Sequence, residues 1–143
     1  MSQFVNEGLK IKDKDVLIEA LKKMGIDQCD ILVGENIHLR GYRGDLRKDT
    51  ADIVVKKEAF PSTASNDFGF KKTANGQYNL IISEYDTRAN SKFKTKLLQS
   101  YLDCMVKKQL TTQAGIGFSF KSTEVVNGKT VVTLAAKGLG IGI

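Results

Sequence analysis

A chain of 143 residues, 41% hydrophobic and 27% charged, with one proline and no tryptophan, fits one folded domain spanning 1–143 and excludes disordered, fibrous and disulfide-dense classes. It has no apolar run of about 18 residues and no basic stretch leading into an apolar one at Met1-Ser2-Gln3-Phe4-Val5, which predicts a soluble, cytoplasmic (intracellular) protein with no membrane association. The formal charge of +6 is concentrated: residues 88–121 hold seven basic residues against one acid, Asp103, while the rest of the chain is balanced at 15 of each sign, and a local basic field steers anionic partners better than net charge does.

Residues 3 to 11 read as a first strand, with Phe4, Val5, Leu9 and Ile11 apolar. Asp13 then stands as an N-cap, and Val16, Leu17, Ala20, Leu21 and Met24 recur at three- and four-residue spacing before Gly25, predicting an amphipathic helix with one face to the core. Residues 30–33 and 37–40 read as two short strands around Gly34-Glu35-Asn36. Asp45 to Asp49 reads as a polar loop, and the β-branched run from Ala51 to Lys57 as a strand. Glu58 to Asn66, with the lone Pro61, reads as a surface loop.

Asn75-Gly76 and Asn127-Gly128 each separate two strand-like runs, 67–72 from 77–82 and 122–126 from 129–136. Asn-Gly supplies the two positive-φ positions of a type I′ turn and is the strongest short-range hairpin signal. Between them a helix is expected over 91–109, with Phe93, Leu97, Leu98, Tyr101, Leu102, Cys104 and Met105 on one side and Lys92, Lys96, Gln99, Asp103 and Lys107 on the other. The order β–α–β–β–β–β–α–β–β predicts an α+β fold, a two-layer sandwich of a mainly antiparallel sheet with two helices on one face. The tail 137–143 is glycine-rich and apolar, either frayed or docked on this chain or a neighbour.

Little of the sequence points to catalysis. Cys29 and Cys104 lack any Cys-x-x-Cys or matched histidine and read as small buried hydrophobes. His38 stands alone, Asp13 is explained by capping, and Glu84 and Asp86 by solvation at a strand end. Neither glycine cluster, 115–117 or 138–142, opens a helix as a phosphate loop must. The expectation is no enzyme, no cofactor and no metal.

The pattern that a plain fold does not demand is Arg40-Gly41-Tyr42-Arg43-Gly44. Its glycines permit a tight turn, and each guanidinium offers a planar fork of donors suited to carboxylate or phosphate. A turn with surface arginines explains the stretch equally well. With Arg47, Lys48 and the helix lysines Lys92, Lys96 and Lys107, Arg40, Tyr42 and Arg43 form the candidate partner-binding set. The partner expected is an anionic protein surface. The alternatives are nucleic acid, with Tyr42 stacking on a base, and a small phosphorylated ligand. The RNP-type aromatic pattern of RNA-binding sheets is missing.

In the order of these elements the chain resembles the hypothetical chloroplast open-reading-frame 35 family, a domain of unknown function. The resemblance runs through the capped helix ending in Met24-Gly25, Arg40-Gly41-Tyr42-Arg43-Gly44, Ala51-Asp52-Ile53-Val54-Val55-Lys56, Asp67-Phe68-Gly69-Phe70, Tyr78-Asn79-Leu80, the Tyr101-bearing helix and a closing Asn-Gly hairpin. It departs in the Glu58–Asn66 loop, after Tyr85 and in the apolar tail. It implies a fold and carries no catalytic residue.

Overall fold

The computed structural model describes residues 3–60, 64–113, 118–126 and 129–136, with side chains described as far as Leu110. In chain order the elements are β1 (Phe4–Gly8), α1 (Lys14–Lys23), β2 (Ile31–Arg40), β3 (Leu46–Val55), β4 (Phe68–Lys72), β5 (Tyr78–Ser83), α2 (Glu84–Ala89), α3 (Phe93–Gln113), β6 (Phe118–Val126) and β7 (Lys129–Ala136). Strands β1 to β5 form one antiparallel sheet in the order β1-β5-β4-β3-β2, and β6 pairs with β7 in a separate antiparallel pair. The fold is α+β, as the alternation of periods predicts.

Helix α1 begins where the sequence places it: Val16 N donates to Asp13 Oδ1 at 3.1 Å, and Val16, Leu17, Ala20 and Leu21 are buried. These side chains pack with Phe93, Leu97 and Cys104 of α3 and with Ile53, Val55, Phe68, Phe70, Leu80 and Ile82 of the sheet. The cross-strand row Val33–Ile53–Phe70–Leu80–Glu7 belongs to this helix-covered face. Phe60, Phe68 and Phe93 meet at its end with ring centroids 4.8 to 5.6 Å apart, stacked and edge-on arrangements that favour aromatic quadrupoles.

Several boundaries differ from expectation. The first strand stops at Gly8, and Leu9 and Ile11 are buried beyond it, tied to β5 by Leu9 N to Tyr78 O at 3.2 Å and Tyr78 N to Ile11 O at 2.9 Å. The two short strands of 30–40 are one strand, because Gly34, Glu35 and Asn36 bulge out between Val33 opposite Ile53 and Ile37 opposite Ala51. The 45–49 segment is not a loop: β3 already starts at Leu46, its ladder partner Arg40 lying across the turn. The β4–β5 hairpin forms, but only Gly76 (φ +85) has left-handed φ. Asn75 instead accepts from Gln77 N through Oδ1 at 3.1 Å, so the turn is not the type I′ expected. The Asn127-Gly128 turn and the 137–143 tail lie outside the described residues.

Helix α2 is additional. Ser83 Oγ accepts from Asp86 N at 3.1 Å and donates to Asp86 Oδ2 at 2.7 Å, a reciprocal cap akin to a capping box. Asp86 is therefore fully buried and not a solvated strand end. It also takes Ser65 N, Ser65 Oγ and Asn66 N, so it anchors the 64–66 segment. Of the 58–66 stretch expected at the surface, Asn66 is buried and Phe60 is packed against the core.

The second face of the sheet carries the feature that positions the candidate site. The row Leu32–Val54–Gly69–Ile81–Asn6 points away from the helices, and Val54 and Ile81 are buried there with Leu39 and Ala51, while Phe4 and Ile37 pack against them. A straight β3 would carry Ala51 about 10 Å along the strand from Val54. Instead, a Cβ placed on Gly69, the ladder partner of Val54, would lie 2.7 Å from Ala51 Cβ and 3.0 Å from Leu39 Cδ2. The distal half of the β2–β3 hairpin has thus folded back over the sheet, and Gly69 leaves room for it. Asp52 staples the corner, accepting from Lys72 N at 2.8 Å and Asn36 N at 3.3 Å. Lys71 Nζ reaches Thr50 Oγ1 at 3.2 Å and Asn36 Oδ1 across the same bend.

Candidate partner-binding site

The folded-back arm ends in the turn that the sequence singles out. Gly41 N donates to Asp45 O at 2.7 Å and Gly44 N to Gly41 O at 3.0 Å. Gly44 takes φ +80, which an L side chain rarely adopts. Gly41 packs closely: a Cβ there would stand 2.9 Å from Asp45 Oδ1 and 3.1 Å from Arg47, so those side chains would have to move aside.

The two arginines of the turn have different fates. Arg40 donates from its backbone N to Asp67 Oδ2 at 2.8 Å, from Nε to Oδ2 at 3.0 Å and from Nη2 to Oδ1 at 2.9 Å. Nη2 also donates to Glu58 Oε1. Asp67 is only 2% exposed and takes a fourth bond from Lys57 N at 3.0 Å. Its carboxylate, followed by Glu58, holds the Arg40 guanidinium well above its ordinary pKa, and Arg40 in turn holds the Glu58 carboxyl below its own. A bidentate pair on a buried acid is architecture. Arg40 is the bolt that fixes the arm to the start of β4, so it is not the open residue expected: its guanidinium already meets two acids of its own chain. Arg43 has no such tie and is exposed.

Around Arg43 the tip is open. Tyr42 is 69% exposed and Leu46 72%, and Lys48 is exposed two residues on. Alternation along the arm turns Leu46 and Lys48 outward and Arg47 inward, where the Arg47 guanidinium lies over the Phe4 ring at 5.5 Å. Arg47 is thus partly committed to the arm by a cation–π contact. Lys57 Nζ donates to Tyr42 O at 3.0 Å, binding the tip to the segment that follows β3. Beside it opens a recess of about 330 Å³ walled by Tyr42, Lys57, Glu58, Ala64 and Ser65.

The helix lysines do not join this group. Lys92 and Lys96 are exposed at the start of α3, where with Met24, Phe60, Asn90 and Phe93 they wall a second recess of about 460 Å³. The 57–60 turn stands between the two recesses, with Lys57 and Glu58 in one and Phe60 in the other. Lys107 lies about 22 Å along α3 from Lys92. Nor is α3 a continuous basic face: Asp103 is buried and takes Lys23 at 3.0 Å and Gln99 at 3.2 Å, Lys94 pairs with Glu7 at 3.4 Å, and Lys108 with Asp13 at 2.6 Å.

Both deeply buried carboxylates, Asp67 and Asp86, are saturated with donors, and burial pushes the Cys104 thiol up and away from the reactive thiolate. Cys29 is exposed, unlike the buried position expected, because it sits on the 3-10 turn Gln28–Asp30 that leads into β2. Asp27, Cys29 and Asp30 bring three ligand atoms within 4.8 Å of one another on that open surface. His38 Nδ1 bonds Arg47 O at 2.8 Å inside the arm, a structural use of the lone histidine. Among the described residues no helix is long and apolar enough to cross a membrane. Sequence reasoning missed Leu46, which the Arg40–Leu46 pairing places at the base of the turn, and Lys57 and Glu58, whose proximity to Tyr42 joins segments 15 residues apart and has no local signature. Comparison with protein-family models, with curated proteins and with solved structures finds no match to this chain.

Proposed function

We propose that this chain is a non-enzymatic binding or accessory module that presents the tip of its folded-back arm, Tyr42, Arg43, Leu46 and Lys48, to an acidic protein surface. The observation that carries the reading is a large aromatic and a large aliphatic side chain, each about seven-tenths exposed, beside two exposed cations on a turn fixed by Arg40–Asp67. Tyr and Arg are the side chains that dominate protein interfaces, and a turn already held in one shape loses little freedom on docking. Of the candidate cations, Arg43 and Lys48 at the tip stand apart from Lys92 and Lys96 at the start of α3, with Lys107 farther along that helix, which favours a compact acidic patch over a nucleic-acid strand. The resemblance noted from the sequence supplies no activity, so the surface alone supports this proposal.

The test is affinity capture from the source extract with the wild-type chain and with Tyr42→Ala/Arg43→Ala. An acidic protein held by the wild type, released as salt rises and lost from a double variant with an unchanged thermal midpoint is the expected result. Equal capture by both chains refutes the reading. Salt-sensitive retention of RNA or single-stranded DNA transfers the site to the nucleic-acid alternative.

A further inference from the structure

We infer that Glu58 occupies, in the free chain, the place of a carboxylate from the partner, so that the recess walled by Tyr42, Lys57 and Glu58 takes an acidic side chain by exchange on Arg40. The inference rests on the proposed function and names the chemistry of the contact. Arg40 Nη2 carries two hydrogens and spends one on each of two acids of different character. Asp67 is buried and held by two backbone N–H groups besides, so it cannot leave. Glu58 is different: its side chain is 51% exposed, and Arg40 Nη2 is the donor it meets.

Exposed ion pairs are weak and exchange readily with water or another anion. Glu58 is one wall of a recess of about 330 Å³, enough for a side chain to enter. Lys57, whose Nζ donates to Tyr42 O at 3.0 Å, lines the same recess as a second cation, and the largely exposed Tyr42 is another wall. An entering Glu or Asp side chain accepts the Nη2 hydrogen that Glu58 gives up, meets Lys57, and packs its stem on Tyr42. Glu58 swings into water, where half of it already lies. Charge is conserved at the arginine throughout, so the arm stays bolted to Asp67 while its contents change.

A fluorescent hexaglutamate peptide is the probe, titrated by anisotropy against the wild-type chain, Glu58→Gln, Glu58→Ala, Lys57→Met and Tyr42→Ala/Arg43→Ala at low salt, with circular dichroism confirming each fold. Removing an exposed competitor raises affinity about two- to fivefold in both Glu58 variants, and Lys57→Met lowers it by a similar factor. Unchanged affinity in both Glu58 variants, with binding still weakened by Tyr42→Ala/Arg43→Ala, overturns the exchange and leaves the tip reading standing. Hexaglutamate binding that neither the tip nor the Glu58 substitutions alter overturns both.

Discussion

Arg40 and Arg43 stand three residues apart in one motif, and replacing each in turn by alanine separates architecture from surface. Removing one partner of a buried ion pair costs about 3 to 5 kcal/mol, because the other charge is left buried and unpaired. Asp67 is 2% exposed, but it keeps two backbone donors, Arg40 N and Lys57 N, and the Arg40 side chain is 30% exposed, so water reaches the vacated space. The loss for Arg40→Ala is therefore about 2 to 3 kcal/mol. In urea, with a slope of about 2 kcal/mol/M for a domain of this size, that moves the unfolding midpoint down by about 1 to 1.5 M. Arg40→Lys recovers only part of it, because one ammonium cannot reproduce the fork on both Asp67 oxygens. Arg43→Ala, on an exposed side chain, shifts stability by less than about 0.5 kcal/mol. Equilibrium urea unfolding followed by circular dichroism measures all three. An Arg40→Ala midpoint within 0.2 M of wild type, or an Arg43→Ala loss as large as that of Arg40→Ala, refutes the division of labour (about 0.4 kcal/mol at that slope).

Gly69→Ala tests the fold-back itself: glycine-to-alanine at a permissive site gains about 0.4 to 1 kcal/mol, whereas here the new Cβ meets Ala51 Cβ at 2.7 Å and the expected result is a loss of about 1 to 3 kcal/mol. Ala51→Gly in the same chain should relieve much of it, and a thermal midpoint that rises on Gly69→Ala alone contradicts the packing. Asp13 carries a pH dependence: its bond to Lys108, then its cap on Val16, hold the carboxyl below its ordinary value, so its contribution is full above about pH 4 and fades as pH falls through the lowered folded-state value. Lys108 is shifted up by the same bond, so its share is full below about pH 10 and is lost as pH rises through the raised value; Asp13→Ala should cost about 1 kcal/mol at pH 7 and flatten the acid limb, and parallel acid limbs in variant and wild type contradict the assignment.

What the sequence made legible was local. Asp13 with the three- and four-residue spacing that follows it announces α1, and Asn75-Gly76 announces the β4–β5 hairpin, because capping and turn chemistry act within a few residues. The bend in β3 has no such signature. Nothing in 45–49 says that those polar residues pair with β2, since a strand whose outer side faces water alternates too little apolar surface to stand out. Arg40 pairs with an acid 27 residues away, and Asp67 and Asp86 look solvated in a polar stretch until the fold surrounds them with donors. Ser83 with Asp86 was the one readable sign of α2, a capping pair in which Asp stands where Glu or Gln is usual.

The concentration of positive charge in 88–121 invites a picture of a basic helix awaiting an anionic polymer, and the ion pairs dissolve that picture. Glu7 and Asp13 come from distant parts of the chain to Lys94 and Lys108, and Lys23 of α1 comes to the helix's own Asp103, so these pairs help to hold α3 against β1 and α1. Among the candidate cations that face outward, Lys92 and Lys96 stand on one side of the 57–60 turn, Arg43 and Lys48 on the other, and Lys107 farther along α3. Each group is small enough to match a few carboxylates on a folded surface and too short to follow a phosphate backbone over many nucleotides. The geometry that spends Arg40 on Asp67 is thus the same geometry that sets Tyr42, Arg43 and Leu46 at a fixed, exposed tip: the arm must be bolted down for its end to be presented, and a chain that left both arginines free would present neither in one place.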